Sequence, residues 1–214
     1  MSSEATPAKP ETGSESRVQI ELTDPKAMRA ISHPLRMALL DIIEVTGTLT
    51  ATQASEILGE SPANCAFHLR TLGKYGFIAE AGGGKGRERP WKRVNSRINL
   101  SSRQETPSAA LTARMTQQMW FDRVIQRARQ FLGSDERPEG WHDAETASKT
   151  IQFLTAAEMT QLNDDVRQLL HRYDERQSDP AKRPEGSLPV EILYFAYPLA
   201  DLADLAAKAE SGGE

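Results

Sequence analysis

Past a polar start, apolar residues recur along the chain at helical spacing, in runs closed by glycine or proline. Asp24 is placed to cap a short helix with Pro25 at its first position, and Met28 and Ile31 supply its inner face. A second helix is expected after His33-Pro34, with Leu35, Leu39 and Ile42 in phase and Gly47 beyond its end. Thr50-Ala51-Thr52-Gln53 has the form of a capping box, hydroxyl first and amide three residues on. Ala54, Ile57 and Leu58 face inward behind it, and Gly59 ends that helix. Ser61-Pro62 opens the next one, where Cys65, Leu69 and Leu72 form a buried stripe that stops at Gly76.

Two capped helices joined by a short turn are the grammar of a helix-turn-helix. Phe77-Ile78-Ala79 then reads as a strand, residues 82–88 as a glycine-rich basic loop, and Arg89 to Val94 as the returning strand of a hairpin. A hairpin of this kind directly after the second helix is a wing. Beyond Pro107, Leu111, Met115, Met119, Ile125, Ala128 and Phe131 trace one face of a long helix ending near Gly133. Residues 150–154 and 190–197 have strand character. Between them Thr155-Ala156-Ala157-Glu158 is a second capping box, opening a helix with Met159, Leu162, Val166, Leu169, Leu170 and Tyr173 on its inner face. A short alanine-rich helix is expected from about Leu199.

The fold class expected from this pattern is mainly α with a β-hairpin wing. It comprises a disordered tail (1–22), a winged helix-turn-helix (23–100), a long linking or dimerisation helix (101–133) and a small C-terminal α/β region (134–214). The tail is assigned from its Ser, Thr, Glu and Pro content, which leaves too little apolar surface to offset ordering entropy.

Charge changes the picture. The whole chain carries a formal net charge of -4, which taken alone argues against a nucleic-acid partner. Residues 61–97, however, hold Arg70, Lys74, Lys85, Arg87, Arg89, Lys92, Arg93 and Arg97 against Glu80 and Glu88, while the C-terminal region is strongly acidic. Clustered charge marks a partner surface better than the total does.

His33-Pro34-Leu35-Arg36, the run Ser61 to Leu72 and Tyr75-Gly76-Phe77-Ile78 together resemble the ArsR-type winged helix-turn-helix transcriptional regulators. More narrowly, the chain is similar to a branch that keeps the Ser-Pro-Ala-Asn-Cys recognition helix and a Gly-Arg-Glu-Arg-Pro-Trp wing, here Gly86 to Trp91. The resemblance spans about residues 24–97 and is specific in combination rather than in any one fragment. It implies sequence-selective binding of double-stranded DNA by a homodimer. With Cys65, Leu69 and Leu72 turned inward, Ala63, Asn64, Phe67, Arg70, Thr71 and Lys74 point outward at 100° per residue. Asn64 suits adenine N6/N7 and Ala63 a thymine methyl. Phe67 either stacks on a thymine methyl or tucks against the first helix of the motif. Ser61 either holds a phosphate at the helix N-terminus or serves only as N-cap. His68 matches a histidine common in the family near the DNA boundary; the plainer reading is a semi-buried side chain. Lys85, Arg87, Arg89 and Arg93 are the wing cations expected on phosphates or in the minor groove, and Trp91 is assigned to packing across the hairpin.

The long helix carries too wide an apolar stripe for a solvated surface. In the family it resembles, a helix in this place joins the N-terminal helix in a dimer interface, which makes Met28, Leu111, Met115, Met119 and Ile125 the interface set. The alternative is that the stripe packs only on its own domain. Tyr173, Tyr194, Phe195 and Tyr197 either line a pocket for a small-molecule effector or belong to a core.

No cofactor and no metal site are expected. Cys65 is the sole cysteine and sits on the buried stripe, and the helix 51–58 lacks the thiolates that metal-sensing relatives of this family place there. No nucleophile–base pair or phosphate loop points to an enzyme, and no secretory signal or apolar run of membrane-spanning length is present, so a cytoplasmic regulator without membrane contact is expected. The alternative function is a winged helix used for protein interaction, its basic face docking an acidic partner.

Overall fold

The structure is a computed structural model and describes residues 18–83, 88–94, 96–99, 104–136, 138–141 and 143–202. Helices dominate: α1 (Pro25–Ile31), α2 (Pro34–Thr46), α3 (Ala51–Leu58), α4 (Pro62–Lys74), α5 (Pro107–Leu132), α6 (Ala156–His171) and α7 (Glu175–Ser178), with a 3-10 turn over Pro180–Lys182. The strands are β1 (Val18–Glu21), β2 (Thr48–Leu49), β3 (Ile78–Glu80), β4 (Trp91–Arg93) and β5 (Ser96–Asn99). The chain divides into two units, Met1–Arg123 and Val124–Glu214, with the boundary inside α5.

Capping chemistry sets the helix starts in the first unit. The Asp24 carboxylate accepts from the Lys26 amide and Ser61 Oγ from the Asn64 amide at 3.2 Å. The Thr50–Gln53 box closes in both directions. His33 caps α2 with its ring, Nδ1 accepting from the Leu35 amide at 3.2 Å. Gly59 ends α3 in the left-handed conformation, φ 69°, where a side chain would be strained.

The core gathers Met28, Leu39, Ile43, Leu49, Ala54, Cys65, Leu69, Leu72 and Ile78 from six elements, so α4 packs on α1, α2 and α3 at once. The wing sheet is antiparallel in the order β2-β4-β3, with Glu80 opposite Trp91 and Ile78 opposite Arg93. β2, unforeseen in the sequence, adds Thr48 and Leu49 to the other edge of β4. Trp91 of β4 lies against Gly73 of α4, where an added Cβ would come within 2.5 Å of the indole. That close approach holds the wing sheet to α4.

Several expectations are corrected. Val18–Glu21 forms β1, parallel to β5, and Leu22 is buried, so the disordered tail expected over residues 1–22 is not borne out at 18–22, and residues 1–17 lie outside the described residues. Val18 and Ile20 are too few to announce a strand whose partner lies about eighty residues on. Residues 150–154 and 190–197 are not strands, and the described part of the second unit contains none; the C-terminal α/β expectation fails there. Two short strands make a poor sheet without a third partner. Val124 is the buried hydrophobic of that unit among the described residues, and the expected inner face of α6 contains no buried residue. Phe153 stands 90 % exposed. Residues 200–202 are helical, in line with the expected terminal helix.

Gly73→Ala is expected to lower stability by about 1–3 kcal/mol, because the indole must leave a packed position. Urea unfolding followed by circular dichroism measures this, and an unchanged midpoint would mean that Trp91 moves aside freely.

Candidate nucleic-acid interface

α3, the turn at Gly59–Glu60 and α4 form the helix-turn-helix, and the turn is tied from behind by Ser55 Oγ, which donates to the Glu60 carbonyl at 2.6 Å. With Cys65, Leu69 and Leu72 sealed in the core, α4 turns Ala63, Phe67, Arg70 and Lys74 to solvent, and Asn64 and Thr71 are half-buried along the same face. Phe67 is 56 % exposed, and its ring meets His68 edge-on with centroids 5.2 Å apart. Asn64 is held in place: its side-chain amide donates to Glu60 Oε2 at 2.9 Å. An amide nitrogen carries two hydrogens, so the second one and Oδ1 stay available for the paired acceptor and donor of an adenine edge. Thr71 Oγ1 donates back to the Phe67 carbonyl.

His68 belongs to the other face. It is 6 % exposed, its ring lies 4.5 Å from that of His33, and Arg36 Nη1 reaches its Nδ1 at 3.2 Å. Of the two readings open for His68, burial favours the side chain turned into the protein over the DNA-boundary contact. Spacing could have found it, since 65, 68, 69 and 72 is one helical stripe. Burial, with the neighbouring Arg36 charge adding to it, holds both imidazoles below the ordinary histidine value.

The wing cations divide. Lys85 and Arg87 lie outside the described residues. Arg89 pairs across the hairpin with Glu80 at 2.7 Å, an exposed contact of little energetic weight that a phosphate can displace. Arg93 lies 3.6 Å from Glu44 of α2, which turns it partly toward the protein. Lys92, on the exposed side of β4, was counted in the charge but not among the contact residues. Arg36 enters the sequence reading only within the His33-Pro34-Leu35-Arg36 run; a half-buried arginine bound to carbonyls leaves no charge pattern to notice.

The α5 stripe splits by size. Ala109, Ala113 and Thr116 pack inward, whereas Leu111, Met115, Met119 and Trp120 remain exposed, so the large residues do not simply pack on their own domain. Ile125 is half-buried. Met28 is fully buried in its own core, which removes it from any surface available to another molecule. In the second unit, Arg127 forks onto the Glu191 carboxylate. Tyr173, Tyr194, Phe195 and Tyr197 are all exposed rather than gathered around a cavity. Among the described residues no His, Cys, Asp and Glu cluster has metal-binding geometry, and no helix is long and apolar enough to cross a membrane.

A family model described as a helix-turn-helix domain matches residues 31–81. The match runs from the end of α1 through β3 and so contains α2, the tied turn and α4. Among solved structures, reduced HlyU from Vibrio cholerae is similar at 12 % identity, over 44 % of this chain and 85 % of that one, with a TM-score of 0.29. A transcriptional regulator homologue from Pyrococcus horikoshii shares 14 % identity over 46 % of this chain and 87 % of its own, TM-score 0.29. A mutant of MarR from E. coli shares 13 % over 67 % and 85 %, TM-score 0.30. No curated protein matches the chain. The mainly helical architecture with its three-stranded wing sheet thus encloses a helix-turn-helix domain.

Burial pushes the Cys65 thiol above its ordinary range, with Glu60 adding to the effect. Native protein should therefore resist alkylation by iodoacetamide at neutral pH and react once unfolded in urea. Fast labelling of the folded chain, read by mass spectrometry, would contradict the inward placement of that face of α4.

Proposed function

We propose that the chain is a DNA-binding transcriptional regulator of ArsR type that acts as a homodimer, with α4 in the major groove and the wing on the backbone or in the minor groove. The observation that carries this reading is the two-sided character of α4. Its inner face is closed by the core, and its outer face sets Ala63 and Asn64 at the N-terminal end, where recognition helices meet base edges. Arg70 and Lys74 follow on the same face, suited to phosphates, and Arg89 and Lys92 lie on the adjoining wing. Lys85 and Arg87 extend the basic loop in sequence. Ser61 spends its hydroxyl on the α4 cap, which still leaves the helix N-terminus facing outward for a phosphate.

Dimerisation is supported by the exposed Leu111, Met115, Met119 and Trp120 on α5, large apolar side chains of a kind a monomer seldom displays together. A two-fold pairing through this stripe sets two recognition helices about one DNA turn apart. The reading is that of a regulator rather than an enzyme. Cytoplasmic action and response to a small-molecule effector belong to the same proposal.

Binding-site selection from random duplexes tests the reading. The wild type should enrich a two-fold symmetric site. Asn64→Ala should relax preference at one position of each half-site, worth about 1–3 kcal/mol of discrimination. Arg70→Ala with Lys74→Ala should leave the preferred sequence intact and flatten the dependence of log K on log salt by about 0.9 per lost phosphate contact. Failure to enrich any sequence, with binding to acidic proteins instead, would favour the interaction-module alternative. Met115→Asp should convert a sedimenting dimer into a monomer. A monomeric wild type would overturn the dimer.

A further inference from the structure

Among the described residues the buried polar side chains are His68 of α4 and Thr116 of α5, and both connect to the C-terminal end of α1, Thr116 through Ser32 and His68 through Arg36. Ser32 caps that end. Its Oγ donates to the Met28 carbonyl at 2.7 Å and lies 2.6 Å from Thr116 Oγ1. Arg36, from the first turn of α2, covers the neighbouring carbonyls: Nη2 donates to the Arg29 carbonyl at 3.1 Å and Nε to that of Ala30. The remaining nitrogen, Nη1, reaches His68 Nδ1.

The protonation state follows from the donors. A guanidinium has no acceptor, so His68 Nδ1 must present a lone pair to it, and the ring is neutral with its proton on Nε2. His33 is constrained in the same way, because its Nδ1 accepts from the Leu35 amide. An imidazolium has no lone pair at either nitrogen. Charging His68 therefore breaks the Arg36 contact and sets two cations side by side, and charging His33 breaks the α2 cap.

We propose that Arg36 and His68 are positioning residues that seat the recognition helix on the end of α1, and that this seat holds only while His68 is neutral. The proposal rests on the DNA-binding reading above. Its consequence is a specific affinity that falls on acidification, because Phe67 and Asn64 stand on the helix that the seat holds, and the Phe67 ring touches His68 directly. The groups that face His68 are His33 and Arg36 from α2 and its cap, and Glu60 from the turn before α4; Tyr75 at the end of α4 acts on Arg36. Of those acting on His68, only Glu60 favours the charged ring; burial, His33 and Arg36 all oppose it. The folded value is thus depressed, the neutral form prevails at and above the ordinary 6.5, and the seat is lost as pH falls through the lower folded value. This direction is diagnostic. Extra positive charge at low pH strengthens unspecific DNA binding, so a loss on acidification needs a structural cause.

The test measures specific affinity for the selected duplex from about pH 7.5 to about pH 5.5, the range in which an imidazole titrates. The wild type should lose specific affinity toward the acid end of that range, in step with the charging of the His68 ring. His68→Asn, which keeps an acceptor where Nδ1 stood and cannot titrate, should retain the neutral-pH affinity and lose the acid sensitivity. A wild-type affinity that is flat or rises on acidification, or an Asn variant that follows the wild type, overturns the proposal. A second arm needs no DNA. In an NMR titration of the free protein, the Asn64 and Phe67 amides should shift with the His68 ring. If they shift and no duplex binds at any pH, the DNA reading fails and the seat stands. If the ring titrates without them, the seat is wrong.

Discussion

The closure of the inner face of α4 is the interaction on which the rest depends. A helix of 13 residues cannot hold its own shape in water, and its stability comes from packing of its apolar side. Here Cys65, Leu69 and Leu72 are sealed against α1, α2 and α3, and Trp91 presses on Gly73 from the wing. Interiors are close-packed, so rotating α4 by even a fraction of a turn would open cavities or drive side chains together. The direction in which Asn64 and Phe67 look is therefore decided on the side of the helix that never meets a partner.

Polar groups refine what packing sets. Glu60, anchored through Ser55, receives the Asn64 amide and limits its rotamers before any base arrives. Ordering a side chain in the free protein removes part of the entropy cost of binding. On the opposite face Arg36 gathers the last carbonyls of α1 and the His68 ring, which joins three helices at one guanidinium. Ser32 and Thr116 extend the connection to α5. The helix suited to reading a duplex and the helix with the exposed stripe therefore share one hydrogen-bonded junction within the first unit.

What was legible in the sequence was local. Asp24, the Thr50–Gln53 box, Ser61-Pro62 and the Thr155–Glu158 box each announce a helix start, because capping is satisfied within four residues. The pairing of β1 with β5, and of β2 with β4, joins segments too distant and too short for alternation to reveal. Residues 190–197 show the opposite error: the run has the composition of a buried strand, but composition cannot say whether a neighbouring strand exists to pair with. His68 shares the helical phase of Cys65, Leu69 and Leu72, so spacing alone already favours its inward reading over the DNA contact that the family resemblance suggests. Met28 enters the interface set only through the family resemblance, whereas its place on the apolar face of α1 is that of a core residue.

The most direct measurement of the central claim places a DNA-cleaving chelate on Ala63→Cys, at the exposed start of α4. Cys65 is buried and should not compete for the label. On the selected duplex, the account predicts cleavage in the major groove at two clusters about 34 Å apart, one per recognition helix. A labelled protein that binds the duplex with full affinity yet cleaves at neither position would contradict it, because some other surface would then be reading the DNA.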